Sequence, residues 1–168
     1  GAGRPVYHLA HAQRSLGHEV AIVCERSEHV DEHHGLARKV SPLLAARTKL
    51  ARRTRRVAPT LVQEILDDRP DLLHLHSIHV PENITLARQL RKAGVPYCVT
   101  IQGGLSRVAQ QRSRARKTAL WWLGERQYLD NALFIHALTC EEASDIGAYG
   151  VKAPTVVVPN GINASSLP

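Results

Sequence analysis

Short apolar runs alternate along this chain with stretches whose apolar residues recur every three or four positions. The runs at residues 17–24, 72–76, 95–101, 133–139 and 155–158 have the length and β-branched content of strands, and their continuity predicts burial on both faces. Between them, Val6, Leu9, Ala10 and Leu16 predict a helix over residues 5–16, with Pro5 in its first turn and Gly17 as its stop. Helical spacing continues through residues 42–68, with a break at Pro59, and through residues 84–92 ahead of Gly94. Residues 119–131 read as a helix burying Leu120, Trp121, Leu123 and Leu129. Thr139 with Glu142 three residues on has the spacing of a capping box opening a helix that runs to about residue 148. Alternation of this kind predicts an α/β fold with a doubly wound, mostly parallel sheet. Helix 5–16 followed by strand 17–24 reads as the second half of a βαβ unit, so a further strand is expected ahead of Gly1.

Right-handed crossovers would gather the strand-to-helix loops on one sheet edge, where open α/β sheets bind ligands. Gly1 to Gly3, His76 to His79 with Ser77 among them, Gln102, Gly103, Gly104, and Thr139 to Glu142 would share that edge, and Asn160-Gly161 would follow the last strand. The pair Gly103-Gly104 ends the most continuous strand, and glycine lets a charged ligand approach backbone N–H groups closely. His76 lies at the loop end of its strand, whereas His74 reads as a packed or edge histidine. The polar segment 25–35, with His29, His33 and His34, reads as a loop rather than a metal site, because no apolar anchors would hold ligands rigid.

Charge sharpens this reading. The net charge is +7, yet residues 38–56 hold eight basic residues and residues 107–117 hold five, with no acid in either. Subtracting these 13 from the 22 basic residues leaves 9 against 15 acidic ones, so the basicity is local. Such patches suit phosphorylated small molecules, anionic lipid or nucleic acid. Aromatics make up only 4% and none interleave with the cations, which argues against single-strand stacking. No run reaches the roughly 18 apolar residues of a membrane span, and a soluble, cytoplasmic protein is expected. Cys24, Cys98 and Cys140 lack paired spacing and read as small buried hydrophobes.

In this order and spacing, an N-terminal glycine loop, Gly17-His18-Glu19-Val20, Pro70-Asp71 ahead of His74 and His76, a glycine pair, the Lys117 helix, Leu138-Thr139 with Glu142, and Val158-Pro159-Asn160-Gly161-Ile162 resemble the N-terminal half of glycosyltransferase family 4. The resemblance covers nearly the whole chain. It implies a Rossmann-like N-terminal domain of the two-domain GT-B fold over residues 1–160, with residues 161–168 starting a linker and a C-terminal domain beyond them. It further implies a retaining enzyme that needs no metal or other cofactor and transfers a sugar from a nucleotide-sugar donor to a glycan, lipid-linked or small-molecule acceptor. The donor would sit mainly in the second domain, so the present chain is expected to be an inactive fragment on its own.

Carried over by residue, Gly1, Gly3, Gly103 and Gly104 would approach the donor phosphates or the acceptor, and His76 and Ser77 would line the cleft. Arg116 and Lys117 would contact an acceptor phosphate, Thr139 and Glu142 would lie at the same edge, and Asn160-Gly161 would mark the crossing between domains. Gln102 stands where the family has histidine beside the reacting sugar; an amide donates and accepts hydrogen bonds but takes up no proton. Two other readings stay open. Gly1-Ala2-Gly3 followed by Glu25 has part of a dinucleotide-binding fingerprint, although Val6 stands where the third glycine belongs. The basic segments could instead make a module binding nucleic acid or an anionic membrane, the latter also being compatible with a transferase at the inner membrane face.

Overall fold

The computed structural model describes residues 3–23, 57, 59–111 and 113–161. The chain divides into two compact units, one formed by residues 1–54 and 160–168 and the other by residues 55–159. In the first, helix α1 spans Gly3–Ser15. Its end is closed by Gly17 at φ 91°, with Gly17 N–H donating to Arg14 O and His18 N–H to Gln13 O. Ala10 and Ile22 are buried together, with Tyr7 and Val20 packed against them. This corrects the expected strand at 17–24: residues 18–23 form no strand, because Val20 and Ile22 turn back onto α1. Cys24, Glu25, the histidine-rich loop and the basic segment up to Arg56 lie outside the described residues.

The second unit carries the sheet. Its elements are α2 (Pro59–Asp67), β1 (Leu73–His76), α3 (Pro81–Lys92), β2 (Tyr97–Thr100), α4 (Arg107–Gln111), α5 (Arg114–Leu120), a kinked helical segment (Trp121–Glu125), α6 (Arg126–Asp130), β3 (Ile135–Ala137), α7 (Cys140–Ala148) and β4 (Thr155–Val157). All four strands are parallel and lie in sequence order, β1-β2-β3-β4. Three successive crossovers therefore step the same way, and the right-handed rule puts α3, the α4 to α6 segment and α7 on one face. That face is apolar: Leu75, Tyr97, Val99, Ile135 and Ala137 are buried, and Tyr97 Oη donates to the carbonyl of Tyr128 in α6 at 2.7 Å. Each fully buried side chain there contributes roughly 1.5–3 kcal/mol.

Burial on both faces holds only for β2. His74, His76, Thr100 and His136 share the opposite face through the pairings His76 with Thr100 and Thr100 with His136. At the edge, Val156 and Val157 of β4 stay exposed. Helix α3 begins earlier than its apolar spacing predicts because Pro81 presets the first helical position. The cationic helix is broken in two at Ser113, which takes left-handed φ 58° and ψ 40°.

The largest departure is in residues 119–131. The helix kinks at Gly124, whose φ of 144° lies outside the helical range, and the chain continues as α6 beyond it. The register rotates, so Leu123, expected in the core, is exposed beside Trp122, while Glu125 is fully buried. Leu120 and Trp121 are half-buried and Leu129 is buried as expected. Cys98 is buried, but Cys140 is exposed because it opens α7 just after the cap.

Candidate functional site

The carboxyl ends of β1, β2 and β3 bring together His76, Ser77, Gln102, Gly103, Gly104, Thr139 and Glu142. Three non-glycine residues of these loops, Ser77 (φ 75°), His79 (φ 61°) and Gln102 (φ 56°), hold left-handed backbone. The loops are tied to one another. Ser77 N–H continues the ladder to Thr100 O at 2.8 Å, and Ser77 Oγ donates to Gln102 Oε1 at 3.2 Å. Asn83 Nδ2 donates to His76 O at 2.8 Å and Ser77 O at 3.2 Å.

Thr139 caps α7, its Oγ1 accepting from Glu142 N–H at 3.1 Å. The capping box is only half formed, however. Instead of returning to Thr139, the buried Glu142 carboxylate accepts from Leu138 N–H at 2.6 Å and from Gly103 N–H. The donor that the glycine pair was expected to offer to a phosphate is thus engaged by the chain's own carboxylate. Gly104 is needed for space, since a Cβ there would lie 2.5 Å from Ile78 Cγ1.

Beside this edge opens a cavity of about 420 Å³ lined by His79, Leu105, Gln110, Gln111, Arg114, Lys117, Thr118, Trp121 and Tyr149. Among the described residues, two cations and no carboxylate face it. Trp121 and Tyr149 meet edge to face, with ring centroids 5.4 Å apart. His79 is held from behind by Glu125, which accepts from His79 N–H and pairs with Nδ1 at 2.6 Å. Gln110 Nε2 reaches Gly104 O at 2.8 Å and His79 Nε2 at 3.2 Å, linking the cavity to the glycine loop. Lys117 lines the cavity while donating to Ala109 O, whereas Arg116 is exposed and does not line it.

On the polar face of the sheet, His74 Nε2 lies 2.6 Å from Thr100 Oγ1, which lies 2.9 Å from His136 Nδ1, and His136 Nε2 lies 2.7 Å from Val158 O. A carbonyl only accepts, so with neutral rings His136 carries its proton on Nε2, Thr100 donates to His136, and His74 donates to Thr100. Burial and the neighbouring His76 and His136 pull the His74 pKa down to about 3; burial and His136 pull His76 down to about 4. The rings of His74 and His76 stack at 4.2 Å, and among the described residues the buried His76 Nδ1 has no hydrogen-bond partner. Among the described residues no three His, Cys, Asp or Glu side chains are grouped as metal ligands would be.

Of the other residues singled out in the sequence, Gly1 lies outside the described residues and Gly3 begins α1 in the first unit; Asn160 and Gly161, exposed beyond the end of β4, also belong to the first unit. The sequence placed His79 on the ligand edge and Arg114 in a basic segment without giving either a role, and sequence reasoning missed Gln110, Tyr149 and Glu125 as site residues. Glu125 had a signal, being the only acidic residue between Gln102 and Leu129. Comparison with curated proteins and with solved structures returns no match. A family model does match, over residues 1–161. The chain belongs to the glycosyl transferase 4-like domain family.

Proposed function

We propose that this chain forms the acceptor side of a retaining glycosyltransferase, which takes a sugar from a nucleotide-sugar donor held mainly outside these residues. The observation that carries this reading is the cavity next to the glycine loop. Its aromatic wall of Trp121 and Tyr149 offers an apolar face to a sugar ring, Gln110 and Gln111 offer amides to hydroxyl groups, and Arg114 and Lys117 favour an acceptor bearing negative charge. The residues at the strand ends then bound the reacting region. Gln102, oriented by Ser77 through its carbonyl oxygen, keeps its amide N–H groups for a ligand, and it positions rather than exchanges protons. In this reading no metal takes part, and the charge on the leaving nucleotide is met by backbone amides and cationic side chains.

The test is nucleotide release by the protein carrying this domain from UDP-glucose, UDP-N-acetylglucosamine and GDP-mannose, with and without EDTA, and proton NMR of the anomeric centre in any glycoside formed. Release with retained configuration and no loss on chelation is expected. Inverted product or EDTA sensitivity would count against the retaining, metal-independent reading.

A further inference from the structure

His79 stands between a buried carboxylate and the open cavity. Its side chain is 14% exposed and lines that cavity, while Glu125 behind it is fully buried and holds both its backbone N–H and, at 2.6 Å, its Nδ1. The position of the ring proton follows from Gln110. Gly104 O only accepts, so the Gln110 group 2.8 Å from it is the NH2, and that NH2 lies 3.2 Å from His79 Nε2 with only hydrogens to offer. Nε2 therefore presents its lone pair to the cavity, and Nδ1 carries the proton toward Glu125. Left-handed backbone at φ 61° and two bonds to one carboxylate fix the direction of the ring.

Among the described residues that line the cavity, His79 carries the one group of a kind that takes up protons near neutral pH. Arg114 and Lys117 already hold theirs, and amide, hydroxyl and indole groups are too weakly basic. Gln102, at the neighbouring strand end, takes up none either.

The geometry points to His79 as the catalytic base for the acceptor's hydroxyl group, with Glu125 as the residue that positions it. This rests on the reading of the cavity as the acceptor site, and not on the stereochemical course of the transfer. The hydroxyl displaces the Gln110 amide from Nε2. Its O–H bond breaks and the proton passes to Nε2, while the oxygen bonds to the anomeric carbon of the donor. The bond from that carbon to the phosphate oxygen breaks, and its electron pair leaves with the nucleotide. The imidazolium then faces the Glu125 carboxylate, which offsets its charge until the proton passes to solvent.

Kinetics of the protein carrying this domain, with a donor and acceptor that it turns over, test the assignment. His79→Gly suits the left-handed backbone and should lower kcat by about 10²–10⁴-fold while the acceptor KM stays within about threefold. Added imidazoles should restore part of kcat, and more of it the more basic the imidazole, a dependence that refilling a hole does not produce. Should His79→Gly fail to fold, Glu125→Gln serves. Its amide still accepts from His79 N–H but donates to Nδ1, which moves the ring proton to Nε2, and kcat should again fall by about 10²–10⁴-fold. Imidazole ¹⁵N NMR should place the proton on Nδ1 in the parent and on Nε2 in that variant. An unchanged kcat in His79→Gly, or in Glu125→Gln with its proton on Nε2, would overturn the inference alone. So would a parent proton on Nε2, or rescue indifferent to basicity. A loss that appears in the donor KM would overturn it together with the acceptor reading.

Discussion

The carboxylate of Glu142 reaches across from α7 to the backbone N–H of Gly103, joining the loops after β2 and β3 through a single side chain. The same carboxylate holds Leu138 N–H, so one side chain satisfies two backbone donors. Replacing Glu142 by alanine should lower stability by about 2 kcal/mol in urea unfolding and loosen the glycine loop. Glu142→Gln, which keeps one carbonyl acceptor, should recover part of that loss.

Glu125 plays the matching part for the loop after β1. It is fully buried and holds His79 by both backbone and ring. Glu125→Ala should cost about 3 kcal/mol, because it strands His79 N–H and leaves a cavity behind the ring. Thermal unfolding of the variant checks this, and a midpoint equal to the parent's would contradict it.

The glycine at the kink, Gly124, is constrained by backbone and by space. A Cβ on Gly124 would lie 2.2 Å from Arg88 Nη2 and 3.1 Å from Ile84 Cγ2, at φ 144°. Arg88 is able to swing aside, but the backbone conformation still disfavours any other residue. Gly124→Ala should therefore destabilise by about 1–3 kcal/mol, which denaturant titration would register.

Acid should weaken the second unit through its polar sheet face. His74 and His76 have folded-state pKa values of about 3 and about 4, below the ordinary 6.5. In the unfolded chain both take up protons near pH 6.5, whereas the fold resists this until far lower pH. Stability from these groups is therefore complete above about pH 6.5 and falls as pH drops toward 4 and then 3. Unfolding measured from pH 7.5 to 4 should show this slope, and His76→Leu should flatten it. An unchanged slope in H76L would contradict the assignment.

The four strand positions of the second unit and the capped helix 140–148 were legible because each rests on local pattern: apolar runs bounded by Gly, Pro or Asp, and a Thr139 cap. The loop end of β1 was found the same way. Leu123 was misread because the kink at Gly124 turns the helix face, with no periodic signal beyond the glycine itself. Glu142 looked like a local capping residue, since its spacing to Thr139 says nothing of Gly103, 39 positions away. The roles of His79 and Arg114 arise only when separate loops and helices meet around the cavity. Residues 18–23 misled through composition alone, which does not specify whether an apolar run pairs with a strand or packs on a helix.

The central claim is that the cavity beside the glycine loop holds the acceptor rather than the donor, and steady-state kinetics of Arg114→Gln and Trp121→Ala test it most directly. With the protein carrying this domain and a donor and acceptor that it turns over, each substitution should raise the acceptor KM about tenfold while leaving the donor KM within about twofold. A raised donor KM with an unchanged acceptor KM would contradict the account.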